Sequence, residues 1–268
     1  MKNLKKLPLI LSILSLASFI TPVNADVKVV ASIKPLHSLA SYLMDGVGKP
    51  DLIVEGYGSP HGFSMKPSHA KILQNADLIF WVGEDLEIFL EKPLSSIAKK
   101  AEKIELMEIK GLNVLKFRER NIFDKHDHDD HDDHGKKEDD HDDHEHDDHD
   151  KKEEHADHDD HDGHEGHAHG EYDPHIWLDP MNAKVILNKM VEHLIENDAK
   201  NASKYKSNLK NAFKDIDKLT ADVKADLSKS TASIVFHDAY QYFEERFDIN
   251  ILGAFTVNTD VMPGAEQL

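Results

Sequence analysis

The sequence predicts an α/β architecture: two lobes of parallel-type sheet flanked by helices, joined by a long rigid helix. Three observations predict it. Between residues 26 and 123, short β-branched runs alternate with amphipathic segments. From 181 to 230 no glycine or proline interrupts a helical periodicity. After 231 a strand–helix–strand pattern begins again. Alternation of this kind implies parallel strands with helices on both faces of the sheet.

The elements follow in order. "DVKVVASI" (26–33) reads as a strand, and "KPLHSLASYLMDGVG" (34–48) as a helix closed by Gly46. "PDLIVE" (50–55) is a second strand, and "KPSHAKILQNA" (66–76) a helix carrying Ile72 and Leu73 inward. "DLIFWVG" (77–83), a helix over 86–100 and "AEKIELME" (101–108) complete this part. Asp179 and Pro180 form a helix start, with Asp as cap and Pro in the first turn. Ala183, Leu187, Met190 and Leu194 give the following helix one apolar face. The next helix begins near Asn201, with Leu209, Ala212, Ile216, Leu219, Val223 and Leu227 in steps of three and four. If it runs to residue 230 it reaches about 45 Å, the length of a spine between lobes. "ASIVFHD" (232–238), "AYQYFEERF" (239–247) and "NILGAFTV" (250–257) then give strand, helix and strand. Residues 231–268 are fewer than the roughly 50 a separate domain needs, so the second lobe is expected to be incomplete, the sequence being truncated at its C-terminus. The resulting division is a signal peptide over 1–25, an N-terminal metal-binding lobe over 26–198, a spanning helix over 199–230 and the start of a C-terminal lobe over 231–268.

The signal peptide rests on Lys2, Lys5 and Lys6, the apolar run from Leu7 to Ile20, and the small residues Val23 and Ala25 before a cleavage point. That run is shorter than the about 20 residues of a membrane span. The chain has no cysteine, which excludes a lipoprotein anchored through Cys and any disulfide. These features predict a periplasmic protein, exported and then cleaved before Asp26.

The net charge of −19 is concentrated in one place. Residues 124–171 hold 23 Asp/Glu against 5 Lys/Arg, and the remaining sequence is almost neutral. No basic patch stands out, which argues against a nucleic-acid partner. The tract lacks the apolar content that offsets the entropy of ordering, so it is expected to be a disordered loop inserted in the first lobe. A solvated charge run needs only Asp and Glu. Here 14 of the 20 histidines recur among the carboxylates: His126, His128, His131, His134, His141, His144, His146, His149, His155, His158, His161, His164, His167 and His169. Imidazole mixed with carboxylate suits borderline divalent ions, zinc first, with copper and nickel possible. The tract is therefore expected to hold metal weakly, at many sites.

Six histidines stand apart. His193, between Glu192 and Leu194 in a helix, and His69, in the first turn of one, read as surface residues. His37, after the first strand, has no assigned role. His61 lies in the Gly/Pro-rich loop "GYGSPHGFSMKPS", His175 in "DPHIWLDP" before a helix cap, and His237 at the carboxyl end of the strand "SIVF". Ligands in open α/β sheets bind beyond the carboxyl ends of strands. Three imidazoles from three such segments can supply the protein ligands of a tetrahedral zinc site.

"GSPHGFSMKPSHAKILQNADLIFWVGEDLEIFLEKP", the His/Asp-rich insertion, "DPHIWLDP" and "VFHDAYQYFEERF" with "NILGAFTV" together resemble the zinc-binding solute-binding proteins of bacterial ABC importers, cluster A-I. The resemblance runs from about Val29 to the last residue. It implies zinc as transported ligand in a cleft between two lobes, held by His61, His175 and His237. It also implies a monomer that serves an ABC importer membrane permease and is not an enzyme. Manganese and iron relatives usually carry a carboxylate at the third position, so His237 favours zinc. Where some relatives place Glu before the first ligand, this chain has Pro60, and the fourth ligand is unassigned.

The expected function is zinc capture in the periplasm and delivery to the permease, with the tract as low-affinity collector or sensor. A nanomolar site and a micromolar tract differ by about 4 kcal/mol, so transfer runs toward the cleft. Protonation of the imidazoles below about pH 6 is expected to release the ion. The alternatives are a periplasmic zinc buffer without a permease, and a zinc hydrolase, for which no HExxH motif is present.

Overall fold

The computed structural model describes residues 27–118, 170–227 and 232–256. The signal peptide, all 14 tract histidines and the expected disordered loop, apart from its last two residues, lie outside the described residues. Four parallel strands form the first sheet in the order β2-β1-β3-β4: β1 (Val29–Ala31), β2 (Asp51–Leu52), β3 (Leu78–Trp81) and β4 (Glu102–Glu105). The strands are shorter than the apolar runs suggest. Pairing nonetheless continues past β2, where the N–H groups of Ile53 and Val54 donate to Ala31 and Ser32.

Every residue of β1 and β3 is buried, as continuous apolar strands require when both faces are covered. The two-residue alternation divides them. Val29, Ala31, Leu78 and Phe80 face one layer, with Leu36 and Leu43 of α1 (Lys34–Leu43) and Ile186, Leu187 and Met190 of α4 (Pro180–Asn197). Val30, Ile79 and Trp81 face the other, with Leu73 of α2 (Pro67–Asn75) and Leu90 and Leu94 of α3 (Glu84–Ser96). Helix α1 ends at Leu43, and the backbone reverses at Gly46, whose φ of +75° places it in the left-handed region that favours glycine.

Asp179 caps α4, its carboxylate accepting the Met181 N–H at 2.8 Å, and Pro180 opens the helix as the sequence anticipates. Ala183, Leu187, Met190 and Leu194 are all buried. Helix α5 covers Ala202–Leu227, about 39 Å, preceded by a 3-10 turn over Ala199–Asn201. Residues 228–230 of the expected spanning helix lie outside the described residues. Only the first half of α5 is buried, through Tyr205, Asn208 and Ala212, while Leu219 is 57% exposed. The Asn208 amide donates to the carbonyls of Leu43 and Asp45, so α5 satisfies the last carbonyl of α1 and one in the turn that follows it.

A second, two-stranded parallel sheet joins β5 (Ser233–His237) to β6 (Ile251–Thr256) through α6 (Gln241–Phe247). Several polar contacts fasten it to the first part. Arg246 forms a bidentate pair with the buried Asp179, both contacts at 2.6 Å. Arg118 reaches Asp238 and Glu244. The Tyr242 hydroxyl donates to the Asp173 carbonyl at 2.6 Å and accepts the Leu115 N–H at 3.1 Å.

Candidate metal centre

His61, His175 and His237 converge. One imidazole nitrogen from each lies within 4.8 Å of the others, and the ring centroids are 5.0 to 5.5 Å apart. Each arrives from a different structural context. His61 sits in the loop between β2 and α2, with its N–H donating to the Ser59 hydroxyl. His175 immediately precedes a 3-10 turn (Ile176–Leu178) whose end is the α4 cap. His237 is the last residue of β5.

The Nε2 atoms of His175 and His237 stand 3.2 Å apart. Zn–N bonds of about 2.0–2.1 Å in a tetrahedron place neighbouring nitrogens about 3.3 Å apart, so this pair already has the spacing of two zinc ligands. His175 is held from behind. Asp173 Oδ1 accepts both its backbone N–H, at 2.9 Å, and the proton on Nδ1, at 2.6 Å. A carboxylate on Nδ1 fixes the tautomer that leaves Nε2 with its lone pair toward the site. Both residues are buried, at 4% and 1% exposed. Trp177 stacks edge-on to the His175 ring, centroids 5.3 Å apart, and limits its rotation.

Burial pushes the His237 pKa down to about 4, with the neighbouring His175 and His61 adding to the effect and Asp173 opposing it. His237 therefore stays neutral, the form that ligates metal, well below the pH of about 6.5 at which an ordinary imidazole is half charged. Protonation of His237 itself near pH 6 is not expected, because desolvation disfavours its charged form. Next to it, Asp238 is 3% exposed, and burial raises its pKa to about 6 although Arg118 opposes the shift. Three neutral imidazoles leave a divalent ion fully charged, and Asp173 and Asp238 supply nearby negative charge.

Two of the remaining histidines are not the surface residues expected. His69 is 2% exposed; its Nδ1 accepts the Lys66 N–H at 3.1 Å and its ring packs on Phe63, so it serves the start of α2. His193 is 9% exposed, because Glu102 at the sheet edge folds over its face of α4. His37 is occupied locally, its Nε2 3.1 Å from the Pro50 carbonyl. Asp173 was legible as a turn residue two positions before His175, but its bond to Nδ1 was not. Arg118, Tyr242 and Arg246 carried no signal, since each acts through a contact distant in sequence.

The family model for ZnuA, zinc-uptake complex component A, periplasmic, matches residues 29–268. A protein of Brucella abortus (strain 2308) described as high-affinity zinc uptake system protein ZnuA is 49% identical over 242 residues, which is 90% of this chain and 70% of the relative. A protein of the same description from Haemophilus influenzae is 41% identical over 272 residues, covering 100% of this chain and 79% of the relative. Among solved structures, a crystal structure of ZnuA superposes with a TM-score of 0.66 at 18% identity, covering 91% of this chain and 75% of the other. The S38A mutant of a Mn-bound periplasmic metal-binding protein from candidatus Liberibacter asiaticus gives 0.63 at 18%, covering 90% and 73%. The two structural likenesses bear on the fold.

Proposed function

The chain belongs to the ZnuA family of periplasmic zinc-uptake components, and from that premise we propose that it captures Zn²⁺ at high affinity and hands it to the permease of an ABC importer. The convergence of His61, His175 and His237 carries this reading, with the Nε2 atoms of two of them at ligand spacing. The ion is cargo. His175 is pre-oriented by Asp173, His237 is kept neutral by burial, and His61 completes the trio from the loop between β2 and α2. A water, hydroxide or carboxylate fills the fourth position. The site binds and releases and does no covalent chemistry, so the protein is a receptor and not an enzyme.

The location is the periplasm, reached through the signal peptide at 1–25; the family's periplasmic description supports the location. Among the described residues no helix is long and apolar enough to cross a membrane. The first lobe ends with α4 at about residue 198, α5 spans, and β5–β6 belong to the second lobe; the packing of α4 on the first sheet supports this division. The histidine tract binds zinc weakly, as collector or as sensor for the trio.

Competition with a chromogenic chelator at neutral pH tests the assignment on the full-length protein. His61→Ala and His237→Ala are each expected to weaken the tight site by on the order of 100-fold or more, since even partners behind the ligands cost 10–100-fold. Retention of tight binding in both variants would transfer the function to the tract and make the protein a zinc buffer.

A further inference from the structure

At the opposite end of the first sheet, the start of β4 and the last turns of α4 bring together Glu102, His193 and Glu196. His193 Nδ1 lies 2.7 Å from Glu102 Oε1 and 3.4 Å from Glu196 Oε2. The residue is 9% exposed, yet neither ring nitrogen makes a hydrogen bond. The Glu102 oxygen stands at ion-pair distance but off the line of a ring N–H, and one ligand atom from each of the three residues lies within 4.8 Å of the others. A buried imidazole without a hydrogen bond carries a desolvation cost that a ligated ion removes.

The surroundings hold the arrangement in place. The Asn197 amide donates to Glu102 Oε2 at 2.8 Å and to the His193 carbonyl at 2.9 Å, which positions Oε1 of Glu102 beside the ring. His193 and Glu196 are one helical turn apart and face the same way. The two carboxylates are open to water, with side chains 38% and 67% exposed, so a hydrated ion enters between them. His193 also lines a groove with Glu105 and Glu108.

We infer that Glu102, His193 and Glu196 form a second site for a borderline divalent cation, Zn²⁺ being the ion at hand. One imidazole and two carboxylates, completed by water, suit zinc and hold it less tightly than three imidazoles. The site is about 20 Å along α4 from the His175 segment, counting the turns between Pro180 and His193, so it binds independently of the cargo site. Occupied, it ties the edge strand β4 to α4.

The test uses the full-length protein and zinc chloride alone. Crystals grown with zinc and measured at the zinc edge are expected to show an anomalous peak among the three side chains. The peak should persist in His61→Ala, a change that reports only on the cargo site, and vanish in Glu196→Gln. In solution, the ring-nitrogen resonances of His193 should move on zinc addition, with a midpoint raised at least tenfold in Glu196→Gln. Because Glu196 is exposed, that variant keeps the fold even where His193→Ala does not. Unmoved His193 resonances at saturating zinc overturn the site and leave a plain ion pair. A peak that survives Glu196→Gln overturns the three-residue assignment.

Discussion

Glu87 is fully buried, and its carboxylate accepts the N–H groups of Val82 and Gly83 and the hydroxyl of Ser32. Burial outweighs these bonds and raises its pKa to about 7 from 4.5. A carboxyl whose folded pKa exceeds its unfolded one contributes stability below the unfolded value, and that stability is lost as pH rises through the folded value. Glu87→Gln preserves the acceptor and removes the charge. Its stability relative to the parent should therefore grow by up to about 3 kcal/mol between pH 4.5 and 8, read from denaturant midpoints across that range. A parallel pH profile for the two proteins would contradict the shift. Asp173 invites a second substitution. Asp173→Asn removes the charged partner of His175 Nδ1 and should weaken zinc binding about 10–100-fold in chelator competition. The three converging histidines could be picked out in the sequence because each stands in a loop or strand end among Gly, Pro and Asp. The buried acids could not, since Glu87 lies among other acidic residues at 84, 85 and 91 and only the fold turns it inward.

At the level of elements, the second sheet is fastened near the site by groups that also serve the site. Tyr242 of α6 donates to the carbonyl of Asp173, the residue that orients His175, and accepts the N–H of Leu115. Tyr242→Phe leaves both backbone groups without that partner, and a loss of about 1–3 kcal/mol is expected by chemical denaturation. A weaker zinc affinity should accompany it, because the Asp173 segment loses its tether; unchanged affinity would uncouple α6 from the ligand. The order and type of the elements were readable from period and punctuation: Pro67 and Pro180 mark helix starts, and Gly46 marks a reversal. Strand ends were not, because the apolar run and its backbone hydrogen bonds continue through Ile53 and Val54 after β2 itself has ended. The burial of His193 was equally hidden. Helical spacing placed it beside Leu194, but the residue that covers it comes from a strand edge far away in the sequence.

For the molecule as a whole, the site draws on segments well separated in sequence, and the contacts that assemble it are the ones a linear reading cannot supply. The family pattern pointed to the three histidines that converge and not to the residues that support them. One more feature acts at this scale. Residues 115–117 and 171–173, on either side of the histidine tract, are bonded to each other: the Asp173 N–H donates to the Leu115 carbonyl, the Phe117 N–H to the Glu171 carbonyl, and Lys116 bridges to Tyr172. This antiparallel neck draws the two ends of the tract together just ahead of His175. The free energy of closing a flexible loop grows only with the logarithm of its length, about 0.6 kcal/mol per doubling. Halving the tract is therefore expected to change folding stability by no more than about that amount and to leave the tight zinc affinity in place, both measured on the same shortened protein. A large loss of either would mean that the tract supports the fold. With the neck intact, tract length becomes a property that can vary between related proteins while the metal centre stays as it is.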